Sequence, residues 1–245
     1  MSSVCLIIPC YNESKRLNLH HFESFLSAHQ NYSICFADDG STDNTGQLLK
    51  HLQGLFPQRI ALFKAANNNG KAAIIRKAIN SMYSKTHFDY YGYFDADLST
   101  PLAAAIPFVQ LLEVNPALQM IYGSRIEMPG VEIHKNYLRH LGGRIFSFIV
   151  NHYFDLTLYD TQCGAKVMRS AIVPVVFDTP FITRWLFDIE IILRLRKKKL
   201  DDKVAIKEVP LQYWSNRKGS KITVADLLKL PMEMIRIKKH YRLSI

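Results

Sequence analysis

The first half of the chain alternates between short, wholly apolar runs and segments whose apolar residues recur at helical spacing. Val4–Pro9 predicts a buried strand, and Lys15 to Ala28, with Leu17, Phe22, Phe25 and Leu26, predicts a helix. Tyr32–Ala37 reads as a second strand, followed by the turn-and-cap cluster Asp38-Asp39-Gly40-Ser41 and a helix over Thr45 to Leu55. Ile60–Ala65 is a third strand and Lys71 to Tyr83 a third helix. Tyr90–Ser99 is a fourth strand that runs straight into carboxylates, and Pro101 opens the next helix. Such alternation argues for a parallel sheet covered by helices on both faces. Ligands in such folds bind beyond the carboxyl ends of the strands, where the strand order reverses. With the order 3-2-1-4 that crevice lies between the first and fourth strands, and its loops carry Pro9, Tyr11, Glu13, Asp95 and Asp97.

The second half is less regular. A helix is expected over Leu138 to Tyr153, then the polar stretch Asp160-Thr161-Gln162-Cys163-Gly164. Another helix follows Asp188 and ends in the basic run Arg194–Lys199, and Val204–Pro210 reads as a late strand. From Val224 the pattern is helical despite Pro231. Leu227, Leu228, Met234, Ile235 and Tyr241 lie near one side, and Lys229, Arg236, Lys238, Lys239 and Arg242 elsewhere. The expected division is a main domain over 1–221 and a helical extension over 222–245.

At 245 residues and 48% hydrophobic, the chain buries a substantial core. A formal net charge of +10 asks for an anionic partner: nucleic acid, an anionic lipid surface or a phosphate-rich small molecule. Aromatic residues are not interleaved with the basic clusters and no recognition motif occurs, which sets nucleic acid aside. The four cysteines form no CxxC pair and read as buried free thiols of a reducing, cytoplasmic compartment. The sequence has no signal-peptide pattern, and no run approaches the roughly 18 apolar residues a membrane span needs. Membrane contact is therefore expected to be peripheral.

Asp95 and Asp97 are the sharpest chemical feature. Residues two apart on a strand point the same way, so at a strand end both carboxylates can reach one hard cation such as Mg²⁺ or Mn²⁺. Two solvated loop acids capping the next helix look the same in sequence. Asp38-Asp39-Gly40-Ser41 can be an ordinary turn, or can offer a carboxylate to a base or ribose. Asn69-Gly70-Lys71 before a helix can present backbone N–H groups and an ammonium to an anion, without the spacing of a Walker loop. Gly123-Ser124-Arg125 ends another apolar run, and an arginine there can fork onto phosphate.

In combination, IIPCYNE, DDGSTDNT, NNGKAAIIRKA, FDADLSTP and GSR resemble the family 2 glycosyltransferases across residues 4–221. Asp160–Lys166 and Arg184–Glu190 narrow the resemblance to the dolichyl-phosphate β-glucosyltransferase and polyprenyl-phosphate glycosyltransferase branch. The resemblance implies a single GT-A (Rossmann-like) α/β domain, with a mostly parallel central sheet flanked by helices and a C-terminal basic amphipathic helix. It implies an inverting hexosyltransferase that takes glucose from UDP-glucose, at the cytoplasmic face of a membrane. Pro9, Tyr11, Glu13 and Asp39 would hold the nucleoside, Asp95 and Asp97 the Mg²⁺ or Mn²⁺ and the diphosphate, with Lys71 and Arg125 assisting. Asp188 would fall near the reacting centre. The basic surplus of the second half, Lys166, Arg217 and Lys221 above all, would meet a lipid-phosphate acceptor. A sugar hydroxyl in polysaccharide or glycolipid assembly is the alternative acceptor, and Asp188 would then serve as general base.

Overall fold

The computed structural model describes residues 1–126, 132–134, 137–215 and 224–241, with side chains for 1–126, 146–215, 226 and 229–241. Along the chain run β1 (Val4–Cys10), α1 (Leu19–Ala28), β2 (Tyr32–Asp38), α2 (Thr45–Leu55), β3 (Ile60–Lys64), α3 (Lys71–Lys85) and β4 (Tyr90–Tyr93). There follow α4 (Ala105–Val114), β5 (Met120–Ser124), β6 (Glu132–His134), α5 (Tyr137–Phe154), β7 (Lys166–Arg169), α6 (Val173–Phe177) and α7 (Phe187–Lys197). The remainder is α8 (Asp202–Ala205), β8 (Ile206–Pro210), β9 (Tyr213–Ser215) and α9 (Val224–Tyr241).

Seven strands form one sheet in the order β3-β2-β1-β4-β7-β5-β8, and β6 pairs with β9 apart from it. The expected 3-2-1-4 order is present, and all of its pairings are parallel. The period-2 alternation of β1 divides the core in two. Val4, Leu6, Ile8 and Cys10 pack with Phe22, Phe25, Leu26, Leu49, Leu52, Phe108 and Leu112 from α1, α2 and α4. Cys5 and Ile7 face the other way, onto Ile74, Ile75, Ala78 and Ile79 of α3, Ile191 of α7 and Met234 and Ile237 of α9. Burying an aliphatic or aromatic side chain of this size contributes about 1.5–3 kcal/mol, so both layers are needed to hold the sheet. All four cysteines are free and buried, as expected.

Three differences from the sequence pattern matter for the site. β7, absent from the expected elements, is inserted antiparallel between β4 and β5, pairing Lys166 with both Tyr93 and Tyr122. Four residues with a lysine at one end and an arginine at the other carry no strand signature; β7 exists because two apolar strands leave a gap that it fills. β4 stops at Tyr93, so Asp95 and Asp97 lie beyond the strand. In α9, Ile235 is 59% exposed while Met234 and Ile237 are buried, so Ile235 lies off the packed face. Leu227, Leu228 and Arg242 fall outside the described side chains.

Where β1, β4 and β7 meet, a Cβ on Gly92 would lie 2.7 Å from the Lys166 carbonyl oxygen and 2.9 Å from Leu6 Cδ2. The backbone there has no room to give. Gly92→Ala is expected to lower stability by about 1–3 kcal/mol, read as a lower urea midpoint with unchanged slope.

Candidate active site

Beyond β4 the chain turns sharply: the Leu98 N–H donates to the Asp95 carbonyl, and Leu98 takes a left-handed φ of 50°. A turn, rather than strand parity, therefore presents Asp95 and Asp97. Asp97 is oriented by the Ser99 N–H and hydroxyl, which both donate to its Oδ1 at 3.0 and 2.8 Å. Asp95 lies on Gly164 so closely that a Cβ there would sit 1.9 Å from Asp95 Oδ2. The loop from Asp160 to Gly164 is thus the floor under Asp95.

The same stretch supplies Lys166, which has no solvent exposure. Its ammonium lies 3.0 Å from Asp188 Oδ1, donates to the Cys163 carbonyl, and rests 4.6 Å from the Tyr122 ring centroid and 5.4 Å from that of Tyr93. Tyr93 donates its hydroxyl to the same Asp188 oxygen, and Tyr122 donates to the Asp188 carbonyl at 3.0 Å. Burial first, and the Asp188 charge second, push the Tyr93 hydroxyl well above its ordinary pKa, so it remains a donor. Asp188, in the first turn of α7, is therefore pinned from β4, β5 and β7 at once. Its Oδ2 has no hydrogen-bond partner among the described residues. Lys166, expected to meet an acceptor phosphate, is here fully buried with its ammonium on Asp188.

On the other side of the carboxylates, Lys71 Nζ lies 2.5 Å from Asp95 Oδ1. Burial works against the ammonium, yet Asp95, Asp188 and Asp97 together raise its pKa above the ordinary value. Lys71 opens α3 directly after Gly70, whose φ of 91° suits glycine. A Cβ at Gly70 would also meet Arg184 Nε at 2.8 Å. Asp39 holds this loop: its carboxylate accepts from the Asn69 N–H at 2.8 Å and the Gly70 N–H at 2.7 Å. Asp39, expected to hold the nucleoside, is nearly fully buried and in this structure anchors the Lys71 loop. Glu13 is buried and takes Arg16 at two points, 2.7 and 2.6 Å. That guanidinium reaches 4.0 Å from Asp97 Oδ2. Pro9 and Tyr11 close β1, and Asn12 (φ 50°) stitches this end to the Ser41-Thr42 turn through its N–H and Oδ1.

Arg125 forks onto Asp160 at 2.6 and 2.7 Å and lies over the Trp214 ring. Tyr159 and Asp160 donate backbone N–H groups to Glu208 of β8. Arg125 is thereby part of the bracket that fixes the floor loop. Glu190, with no exposure, accepts from the Ile182 and Thr183 N–H groups and the Thr183 hydroxyl, placing Arg184 over Gly70. Arg16, Tyr93, Tyr122, Gly164 and Glu190 had no role assigned from sequence. Only Arg16, three residues after Glu13 and so one turn on, left a readable signal. Arg217 and Lys221 lie outside the described residues.

Asp95 and Asp97 bring four hard carboxylate oxygens. Among the described residues no third Asp, Glu, His or Cys joins them as a metal-holding cluster. That set fits Mg²⁺ or Mn²⁺ held by one or two carboxylates, with the shell completed by substrate phosphates and water.

A mostly parallel sheet carrying such a pair of aspartates beyond its central strand, opposite a pinned carboxylate, is the architecture of a nucleotide-sugar glycosyltransferase of the GT-A class. The family model described as Glycosyl transferase family 2 matches residues 5–177. A dolichyl-phosphate beta-glucosyltransferase of Saccharomyces cerevisiae is 30% identical over 98% of this chain and 75% of its own length. That of Homo sapiens is 28% identical over 89% of this chain and 68% of its own. Among solved structures, glucosyl-3-phosphoglycerate synthase from Mycobacterium tuberculosis, in complex with Mn²⁺, UDP and glucosyl-3-phosphoglycerate, superposes with a TM-score of 0.68. It covers 98% of this chain and 80% of that one at 15% identity, a likeness of fold. This chain belongs to glycosyl transferase family 2.

Gly164 offers a test of the floor. Gly164→Ala forces the Asp95 carboxylate to move, and a displacement of this size is expected to lower kcat by about 10²-fold. Melting temperature should change little, and isothermal titration should show weakened Mn²⁺-dependent UDP binding.

Proposed function

We propose that this chain transfers glucose from UDP-glucose to a dolichyl or related polyprenyl phosphate, with inversion at the anomeric carbon. One observation carries the reading: Asp95, Asp97, Lys71 and Asp188 converge at the point where the strand order reverses, in a chain whose dolichyl-phosphate glucosyltransferase relatives align over nearly its whole length. A phosphate-monoester oxygen of the acceptor attacks C1 of the glucose, the C1–O bond to the diphosphate breaks, and UDP leaves with the electron pair. With a second pKa of about 6, a phosphate monoester is already anionic at neutral pH and needs no base. Asp95 and Asp97 hold a divalent ion, which supplies Lewis-acid stabilisation to the departing diphosphate. Lys71 brings a preorganised positive charge to the same oxygens. Asp188, with Oδ1 fixed by Lys166 and Tyr93, offers Oδ2 to a hydroxyl of the sugar and sets its orientation. Pro9 and Tyr11 flank the nucleoside, while Glu13 and Asp39 act through Arg16 and the Asn69-Gly70 loop. Arg217 and Lys221 meet the acceptor phosphate.

The acceptor's lipid brings the chain to the cytoplasmic face of a membrane. No helix among the described residues is long and apolar enough to cross one. α5 exposes Phe148 (72%) and Ile149 (48%), and α9 exposes Met232 (66%) and Ile235 (59%) beside Lys229, Arg236 and Lys239. The two helices touch where Lys238 lies 4.6 Å from the Tyr153 ring centroid. Apolar side chains with basic neighbours suit the interface of an anionic bilayer, where each Lys or Arg contributes about 1 kcal/mol.

Radiolabelled UDP-glucose, a short polyprenyl phosphate and Mn²⁺ should put label into the lipid phase; no transfer from any common nucleotide sugar refutes the reading. Asp188→Asn, checked for folding by circular dichroism, should lower kcat about tenfold, the worth of one orienting hydrogen bond. A loss of 10²–10⁴-fold is what a missing general base costs, and would favour a sugar hydroxyl as acceptor. For the membrane, Met232→Glu with Ile235→Glu should abolish co-flotation with anionic vesicles while leaving Mn²⁺-dependent UDP affinity unchanged.

A further inference from the structure

The site's two metal-facing carboxylates are already paired within the protein, one with Lys71 at 2.5 Å and the other with Arg16 at 4.0 Å. These two cations are held very differently. Arg16 is fixed at two points by buried Glu13 and cannot leave without exposing that charge. Lys71, by contrast, has Asp95 as its one hydrogen-bond partner among the described residues, and its side chain is 26% exposed. Its Cα is anchored, because Asp39 and Arg184 fasten the loop that precedes it, while four rotatable side-chain bonds remain free. The ammonium can swing on a fixed base.

An ammonium 2.5 Å from Asp95 Oδ1 competes for an oxygen that a metal ion at Asp95 and Asp97 would need. A divalent ion ligated to the same oxygen at about 2.1 Å would lie less than about 5 Å from it, two like charges on one carboxylate. The oxygens of a nucleoside diphosphate offer Lys71 an alternative partner. They would also face the start of α3, whose first turn holds no acidic residue and whose N-cap, Gly70, offers no side chain to its N–H groups.

We propose that Lys71 is a two-position cation: it closes the metal side of Asp95 while no donor is bound, and moves to the donor's diphosphate on binding, so that metal and nucleotide load together. This rests on reading Asp95 and Asp97 as the metal ligands. Its consequence is reciprocal: UDP tightens metal binding and metal tightens UDP binding by one shared factor, to which Lys71 contributes beside the phosphates' own ligation of the metal.

Mn²⁺ binding to the full chain, followed by electron paramagnetic resonance of the free ion, tests this without turnover. The wild-type protein should bind Mn²⁺ at least tenfold more tightly with UDP than without it. Lys71→Met, which keeps the stem and removes the charge, should bind Mn²⁺ at least tenfold more tightly than wild type when no nucleotide is present. The enhancement by UDP should be smaller than in the wild type by that same factor, the remainder coming from the phosphates' own ligation of the metal. Lys71→Gln should move the same way, which guards against a folding defect peculiar to methionine. If both variants bind Mn²⁺ in the absence of UDP no better than wild type, while Asp95→Asn abolishes uptake with UDP, the two-position lysine is overturned and the metal reading stands. A wild-type protein that takes up no Mn²⁺ even with UDP overturns both.

Discussion

A lysine ammonium without solvent exposure, paired with one aspartate beneath the carboxyl ends of the strands, sets the terms for the rest of this structure. Removing two charges from water is costly unless each is paired and hydrogen-bonded. Lys166 meets that cost with Asp188, the Cys163 carbonyl and the faces of two tyrosines. Meeting it requires β7 to run between β4 and β5 with Lys166 level with both Tyr93 and Tyr122. It also requires the first turn of α7 to press Asp188 onto that point. A well-packed apolar pair there could be as stable or more so. What apolar residues could not supply is a carboxylate with one oxygen held and the other left to receive a ligand. The pair is best understood as positioning, and the antiparallel strand as the means of delivering it.

That logic separates what was legible in the sequence from what was not. The parallel β1–β4 half was readable because each strand is a continuous apolar run and each helix a periodic one, signals contained within one segment. The order 3-2-1-4, supposed for such a fold rather than read from the segments, is the one present, and it brings the β1 and β4 loops together. The burial of Lys166 was not legible, because a lysine's burial depends on what lies across the sheet and nothing local records it. Asp39 and Arg125 likewise make contacts that nothing local records. Their residue types suit a nucleotide or a phosphate; in this structure Asp39 accepts from the Asn69 and Gly70 amides and Arg125 forks onto Asp160. Ile235, expected near one side of α9 with Met234, is exposed while Met234 is buried.

The motifs of the second half also change meaning once their contacts are known. Asp160–Lys166 contains a clamp for Arg125, a residue without a side chain under Asp95, and the partner of Asp188, in that order along seven residues. Arg184–Glu190 contains the cover for Gly70, the pinned carboxylate, and the buried Glu190 that secures the Ile182-Thr183 segment just before it. Neither stretch binds as a unit. The second also meets α9, since the Tyr241 hydroxyl, which receives a bond from Arg194, lies 3.4 Å from Glu190.

The backbone at the crevice is itself informative. Asn12 and Leu98 both take left-handed conformations, each just past the end of a central strand and each beside residues the site needs. A leucine pays for that geometry more than an asparagine, and persists in it only when its surroundings overdetermine it. Leu98 is buried in the same apolar layer as Leu102 and Phe108, so packing holds the turn and the turn holds Asp95 and Asp97 apart. The carboxylates are therefore presented by a rigid turn, whereas the cation that answers them in the free protein, Lys71, sits on a flexible side chain. Rigid anions with a movable cation are what a site needs if it must be electrically balanced when empty and still admit a metal with its donor.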